Sequence, residues 1–388
     1  EKNLEVIEVS VSRISTTTDE LPSTIAVISK EEIQQMMPNK LSDLFRYEAG
    51  VAIESSGSRH GDANINIRGI GGNRVLLIKD GVVMPEGFGS AGVSQGRGSF
   101  DPFSLQQVEI LKGPASALYG SNALGGVVVI NTVEPKTLVE NNDGNTHVSA
   151  NVGYFSEDER PRIGATVATK LGDSYLLLQG QAQEFSERDI NSDFVPNPKD
   201  GEAYNLTAKW QYETDKHSFR LVADYFNQIT DNELNTNVGP VSGPSGTAIT
   251  VATAKDESSR IQIGVTHEIK DLGIVDKLQW QANYQKSNYK QYEFEQTENP
   301  GTVDMPSLAS NVFTEEWEDF EQQQYSASIV GEKKLNQHHL VAGVEGYWSK
   351  VFRPVDKMLT DVLAGTTTNV ISGIAHPGKT FPDADILK

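Results

Sequence analysis

The sequence predicts a small α/β domain followed by part of an antiparallel transmembrane β-barrel. Three observations carry that expectation. Residues 20–138 mix short apolar strands with capped helical segments, whereas residues 139–388 alternate polar and apolar side chains in runs of about ten. The connections between those runs are by turns short and long, as in outer-membrane barrels with short periplasmic turns and long external loops.

Taken in order, the α/β domain begins with Ser29-Lys30-Glu31-Glu32, a capping box that opens a short helix. Met37-Pro38 closes it, because the residue before proline is driven out of the helical region. Leu41, Leu44 and Phe45 have the 3–4 spacing of a second helix. Strands are expected at 51–54, 65–68, 75–79, 108–111 and 127–131. Asp80-Gly81 supplies turn chemistry after an apolar strand. Gly113-Pro114 ends another strand and leads into a single helical turn at 115–119.

Nine barrel strands are expected, at 145–154, 161–171, 174–185, 202–213, 217–228, 257–270, 277–292, 321–333 and 338–351. Tyr204, Leu206, Ala208, Trp210 and Tyr212 share one face, while Asn205, Thr207, Lys209 and Gln211 share the other. Ile261, Ile263, Val265 and Ile269 alternate in the same way with Arg260, Gln262, Thr266, Glu268 and Lys270. Leu278, Trp280, Ala282 and Tyr284 alternate with Gln279, Gln281, Asn283 and Gln285. Soluble sandwich strands average about 5–6 residues. Runs of about ten suit tilted strands with lipid on one side and water on the other. Trp210, Tyr212, Trp280 and Trp348 suit an interfacial girdle. Turns near 172, 215, 273 and 335 are short, and connections at 186–201, 229–256, 293–320 and 352–388 are long; only the external connection 155–160 breaks the asymmetry.

Composition narrows the function. Mean hydropathy is −0.40, and no apolar run approaches the ~18 residues of a membrane helix. The absence of cysteine excludes disulfides and thiolate metal sites. A net charge of −20 argues against a nucleic-acid partner. Glu1-Lys2-Asn3-Leu4 lacks the basic and apolar regions of a signal peptide, which for an outer-membrane protein implies a processed chain.

Residues 108–132, Val-Glu-Ile-Leu-Lys-Gly-Pro-Ala-Ser-Ala-Leu-Tyr-Gly-Ser-Asn-Ala-Leu-Gly-Gly-Val-Val-Val-Ile-Asn-Thr, closely resemble the plug domain of TonB-dependent outer-membrane receptors. Asn66-Ile67-Arg68-Gly69 and Lys79-Asp80-Gly81 match upstream in the right order. The resemblance covers roughly the first third of the chain. It implies a plug at 20–138, a barrel of about 22 strands in the whole protein, and a receptor that imports cargo without making or breaking a bond in it. Nine strands cannot close such a barrel, so the resemblance also implies a longer protein.

Further expectations rest on that resemblance. Residues 1–19 form a mobile segment in which Glu5, Val6, Ile7, Glu8 and Val9 resemble a TonB box, which would add a strand to the periplasmic domain of TonB; the alternative is an ordinary plug strand. Arg68, Glu109 and Lys112 occupy positions where the family holds charges that pair plug to barrel wall; the alternative is a solvent-exposed ion pair. Most members carry arginine where this chain has Lys112, which forfeits a bidentate fork. Gly71-Gly72-Asn73-Arg74-Val75-Leu76, Pro85-Glu86-Gly87-Phe88 and the stretch 377–383 look most like the haem/haemoglobin branch. Haem, free or taken from haemoglobin, is therefore the expected cargo, and a ferric siderophore or other metal chelate the alternative. His60, in the expected apical loop, and His376, in an external loop, are the candidate haem ligands through imidazole nitrogen; the alternative for His60 is a polar apical residue with no ligand role. The family's Phe-Arg-Ala-Pro motif is absent, and Phe352-Arg353-Pro354 is a superficial likeness.

Two phosphate-binding patterns are set aside. Residues 373–380 satisfy G-x-x-x-x-G-K-T, but Phe381-Pro382-Asp383 opposes the helix that would hold the phosphates. Gly69-Ile70-Gly71-Gly72 lacks the third glycine of a dinucleotide fingerprint.

Overall fold

The computed structural model describes residues 8–9, 16–17, 25–55, 59, 62–85, 100–120, 122–141, 144–188, 195–241, 246–301, 309–335, 338–370 and 384–387. The N-terminal part contains β1 (Glu8–Val9), β2 (Thr16–Thr17), β3 (Ile25–Ser29), α1 (Lys30–Met36), α2 (Leu41–Leu44), β4 (Val51–Ser55), β5 (Asp62–Ile67), β6 (Val75–Lys79), β7 (Val82–Val83), β8 (Leu105–Leu111), α3 (Ser116–Tyr119), β9 (Gly126–Thr132) and α4 (Pro135–Glu140). Its main sheet has the order β3-β8-β9-β6-β7, with β6 and β9 parallel and the other pairs antiparallel.

The capping box forms as the sequence implies: Glu32 N donates to Ser29 Oγ, and Ser29 N donates to Glu32 Oε2. Met37 caps the other end of α1 at φ +45°. All five residues of β6 are buried, as a strand covered on both faces requires. Leu77, Leu44, Phe45, Val108, Ile110 and Ile130 pack on one side of the sheet. Leu76, Ile78, Leu111, Ala115 and Val127 pack on the other.

The remainder is one meandering antiparallel sheet. It runs through β10 (Thr146–Phe155), β11 (Arg160–Leu171), β12 (Ser174–Ser186), β13 (Lys199–Glu213), β14 (His217–Glu233), β15 (Gly239–Pro240), β16 (Ala248–Lys270), β17 (Lys277–Asn299), β18 (Ser310–Leu335) and β19 (His338–Phe352). β20 (Val355–Asp361) and β21 (Thr366–Asn369) fold back onto β18, and β22 (Ala384–Leu387) pairs β19. Apart from β15, each long strand pairs its sequence neighbour. All nine expected strands are present.

Their extent differs from the expectation. β16, β17 and β18 run for 23, 23 and 26 residues, far into the segments expected as external loops. Cross-strand aromatic pairs hold these extensions, Tyr292–Trp317 at 5.3 Å and Phe294–Phe313 at 5.6 Å. The hairpin β20–β21 is a second departure; Lys357 donates to Glu316 at 2.9 Å and Arg353 to Glu318 at 2.6 Å.

The sheet faces are reversed relative to a soluble protein. Ile261 and Ile263 are 41% and 44% exposed, while Arg260 and Gln262, which alternate with them, are buried. The polar face of the wall lies against the N-terminal domain. The apolar face carries the expected aromatic positions: Trp210 stacks on Tyr212 at 6.3 Å, and Trp348 lies 5.1 Å from Tyr325. No helix among the described residues is long and apolar enough to cross a membrane.

Candidate functional site

The N-terminal domain meets the wall through the Lys79-Asp80-Gly81 turn, and the sequence explains the geometry. Asp80 and Gly81 both take positive φ, 49° and 83°, which lets a tight hairpin join β6 to β7. β7 is the edge strand of the plug sheet, so carbonyls at this end of the hairpin that the ladder does not use need donors. Four glutamines of the wall's polar face supply them. Gln262 donates to Lys79 O at 3.3 Å, Gln281 to Gly81 O at 2.7 Å, Gln285 to Val83 O at 3.2 Å and Gln324 to Val83 O at 2.9 Å.

Around the tip lies a buried charge cluster. Lys79 Nζ is 2.8 Å from Asp224 Oδ2 on β14, and Arg260 on β16 donates to the other oxygen of the same carboxylate. Thr207 Oγ1 and Asn205 Nδ2 also donate to Asp224, at 2.7 and 3.3 Å. All three charged side chains have zero exposure. Asp80 accepts from the Thr132 amide at 2.9 Å and from Lys209 on β13 at 3.3 Å. Lys209 also donates to Glu134 at 2.9 Å, and Arg220 reaches the same oxygen at 3.3 Å.

Burial opposes ionisation of both turn residues. For Lys79 burial prevails over the attraction of Asp224 and pulls the ammonium below its ordinary value. For Asp80 burial pushes upward, but Lys209, Lys79 and the Thr132 amide together outweigh it and leave the carboxyl below the usual carboxylate range.

Two further contacts tie the domains together. Arg59 donates to Asp256 on β16 at 2.9 Å and to Glu293 on β17 at 2.6 Å, while Lys199 Nζ donates to the Arg59 carbonyl at 3.0 Å. Asp101 pairs with buried Arg162 of β11, whose guanidinium lies 3.8 Å from the Phe103 ring centroid. The wall is therefore engaged from β11 to β18.

The residues expected to make these contacts sit elsewhere. Lys112 pairs with Glu48 and donates to Ala49 O, both in its own domain. Buried Glu109 accepts from Gln107 and Asn131 on neighbouring stretches of the same domain. Arg68 is exposed at φ +51° and has no ion pair among the described residues. The sequence did hold a signal for the actual partners: Lys209 and Arg260 are cations in the polar register of amphipathic strands. His60, His376, Glu5, Val6 and Ile7 lie outside the described residues, as does the 373–380 pattern. Glu8 and Val9 pair antiparallel with Thr17 and Thr16. Among the described residues no group of three or more acidic or histidine side chains is arranged to hold a metal ion.

Residues 17–127 match the TonB-dependent Receptor Plug Domain. The chain is 27% identical over 336 residues to the iron-regulated outer membrane virulence protein of Vibrio cholerae, covering 84% of this chain and 45% of the relative. It is 29% identical over 274 residues to the ferric enterobactin receptor PirA of Pseudomonas aeruginosa, covering 63% and 35%. It is 26% identical over 317 residues to the hemoglobin and hemoglobin-haptoglobin-binding protein of Haemophilus ducreyi, covering 75% and 32%. Among solved structures, the copper transporter OprC superposes with a TM-score of 0.62 at 15% identity, over 93% of this chain and 50% of that one. The fold is that of a TonB-dependent outer-membrane receptor, a plug domain followed by part of the barrel. The chain spans about half the length of the curated relatives it matches.

Proposed function

We propose that this chain belongs to an active transporter that binds an iron compound outside the cell and imports it with energy delivered through TonB. The observation that carries this reading is the plug held in a strand wall by buried ion pairs and glutamine donors. Such a seat blocks the lumen yet exchanges protein partners for water when it opens. No catalytic cofactor is needed, because the cargo crosses unchanged.

A ferric chelate of siderophore type is the leading cargo. Its support is the likeness to an iron-regulated outer-membrane protein over 84% of the chain and to a ferric enterobactin receptor. Haem is the second reading, favoured by the haemoglobin-binding relative, with His60 and His376 as its candidate ligands. The TonB-box-like strand at Glu5–Val9 would engage the periplasmic domain of TonB.

Growth under iron limitation tests both levels. A strain lacking other iron receptors and expressing this one is supplied with ferric siderophores or with haem, with and without TonB. Growth on a siderophore that needs TonB supports the leading cargo. Growth on haem alone, abolished by His60→Ala, selects the second reading. Equal growth without TonB overturns active transport.

A further inference from the structure

A lipid-facing trough lies near the short-turn end of β17, β18 and β19. Leu278, Gly331 and Ala342 stand side by side across the three strands on the apolar face, as do Trp280, Ile329 and Val344 in the next row. At Gly331 and Ala342 the wall falls to backbone level, and Val275, Leu278, Ile329, Leu340 and Val344 rise around them to enclose about 450 Å³. Ile329, on β18 between two paired strands, is 46% exposed, so the trough is open outward and its rim is apolar.

Its turn-side end is charged in both senses. Lys333 Nζ donates to Asp276 at 2.6 Å and to Gly273 O at 3.2 Å, and the Lys334 amide donates to Asp276 Oδ2 at 2.8 Å. An ammonium has three donors, so Lys333 retains one for an incoming oxygen, and Asp276 retains acceptor capacity for an incoming cation. Trp280 in the adjacent row marks the membrane–water interface.

We propose that this trough binds a single phospholipid of the periplasmic leaflet, one acyl chain lying over Gly331 and Ala342. Its zwitterionic headgroup meets the Lys333–Asp276 pair, phosphate toward the ammonium and ammonium toward the carboxylate. The proposal rests on the outer-membrane reading, because a soluble sheet would present this face to water.

Native mass spectrometry of the complete receptor, extracted from membranes and exchanged extensively into detergent with phosphatidylethanolamine as the probe, tests it. A Cβ at Gly331 would meet only ordinary contacts, Val275 Cγ1 at 3.5 Å and Leu278 Cδ1 at 3.9 Å, so Gly331→Leu fills the trough without disturbing the strand. The wild type is expected to retain one phospholipid per receptor, Gly331→Leu to lose it at least tenfold, and Lys333→Gln to lose it severalfold. Val167→Leu, on the lipid face of β11, should match the wild type. Ala342→Leu serves in place of Gly331→Leu if that variant does not fold. Retention unchanged in the filled variant, no lipid on the wild type, or lipopolysaccharide in place of phospholipid would each overturn the proposal. Extraction without detergent would instead overturn the outer-membrane reading beneath it.

Discussion

Asp224→Asn removes one negative charge from a site where two cations meet it, and it changes almost no volume. Lys79 Nζ is 2.8 Å away and Arg260 bonds the other oxygen, with no exposure on any of the three side chains. Water cannot take over the lost charge. Breaking a buried pair by removing one partner costs about 3–5 kcal/mol, because the remaining charge is stranded. With a urea dependence of about 2 kcal/mol/M, the midpoint for plug unfolding falls by about 1.5–2.5 M. The assay is urea titration of the detergent-solubilised receptor below the concentrations that unfold its barrel, with limited proteolysis reporting exposure of β6. Adding Lys79→Met to Asp224→Asn should recover part of the loss, since it removes one stranded cation, and the double-mutant cycle measures the coupling. A midpoint shift under about 0.5 M would refute the reasoning, as it would mean that this cluster does not hold the plug.

Three other outcomes follow from the same geometry. Gly81→Ala forces a Cβ into φ +83° and to 3.2 Å from Gln281 Oε1; the cost of about 1–2 kcal/mol for the left-handed region should lower the same urea midpoint by a smaller step than Asp224→Asn does. Arg59→Met removes the charged donor from Asp256, which is 9% exposed, so plug stability should drop by about 1–3 kcal/mol with faster hydrogen exchange in β5. The Asp80 carboxyl sits below its ordinary value, despite burial that pushes it upward, because Lys209, Lys79 and the Thr132 amide prevail. Its stabilising contribution is therefore complete above the unfolded value near ~3.9 and is lost as pH falls through the lower folded value. The wild-type midpoint should fall only in that acid range, whereas Asp80→Asn should start lower and lack this step; an unchanged acid step in the variant would assign it to another group.

The strands were legible wherever one face meets lipid and the other a packed polar surface, because that contrast writes a period of two into the sequence. Arg260, Ile261, Gln262 and Ile263 alternate, and the structure places them alternately in and out. Beyond the membrane both faces are wet, so Glu315, Glu316, Glu318 and Asp319 carry no such contrast, and the outer halves of β17 and β18 read as loop. The plug elements were legible from local chemistry: a capping box at Ser29 and a two-residue turn at Asp80-Gly81 need no tertiary information. The charge pairing was not. Whether Lys112 reaches the wall or Glu48 depends on three-dimensional placement, 64 residues apart in sequence, and on which face of the plug the strand end presents. Lys209 and Arg260 were visible as cations in the lumenal register, but their partners Asp80 and Asp224 lie 129 and 36 residues away, beyond any periodic signal.

Under the proposed transport, the polar character of this interface bears on how the plug would leave its seat. An apolar seal loses about 25 cal/mol for each Å² re-exposed, and water offers nothing in return. Buried charges regain hydration on separation, which offsets much of the attraction they surrender. A seat built from Lys79, Asp224, Arg260 and four glutamines is thus specific when closed and inexpensive to wet. Replacing the cluster by apolar residues of similar volume, Lys79→Met with Asp224→Leu and Arg260→Met, and Thr207→Val so that no hydroxyl loses its acceptor, removes the hydration that rewards opening. Such exchanges are neutral to stabilising by about 1–4 kcal/mol. The urea midpoint should therefore hold or rise, while TonB-dependent uptake slows at unchanged cargo affinity. Uptake at the wild-type rate with a stabilised plug would show that opening does not pass through separation of this cluster, and would shift attention to the Arg59 contact with Asp256 and Glu293.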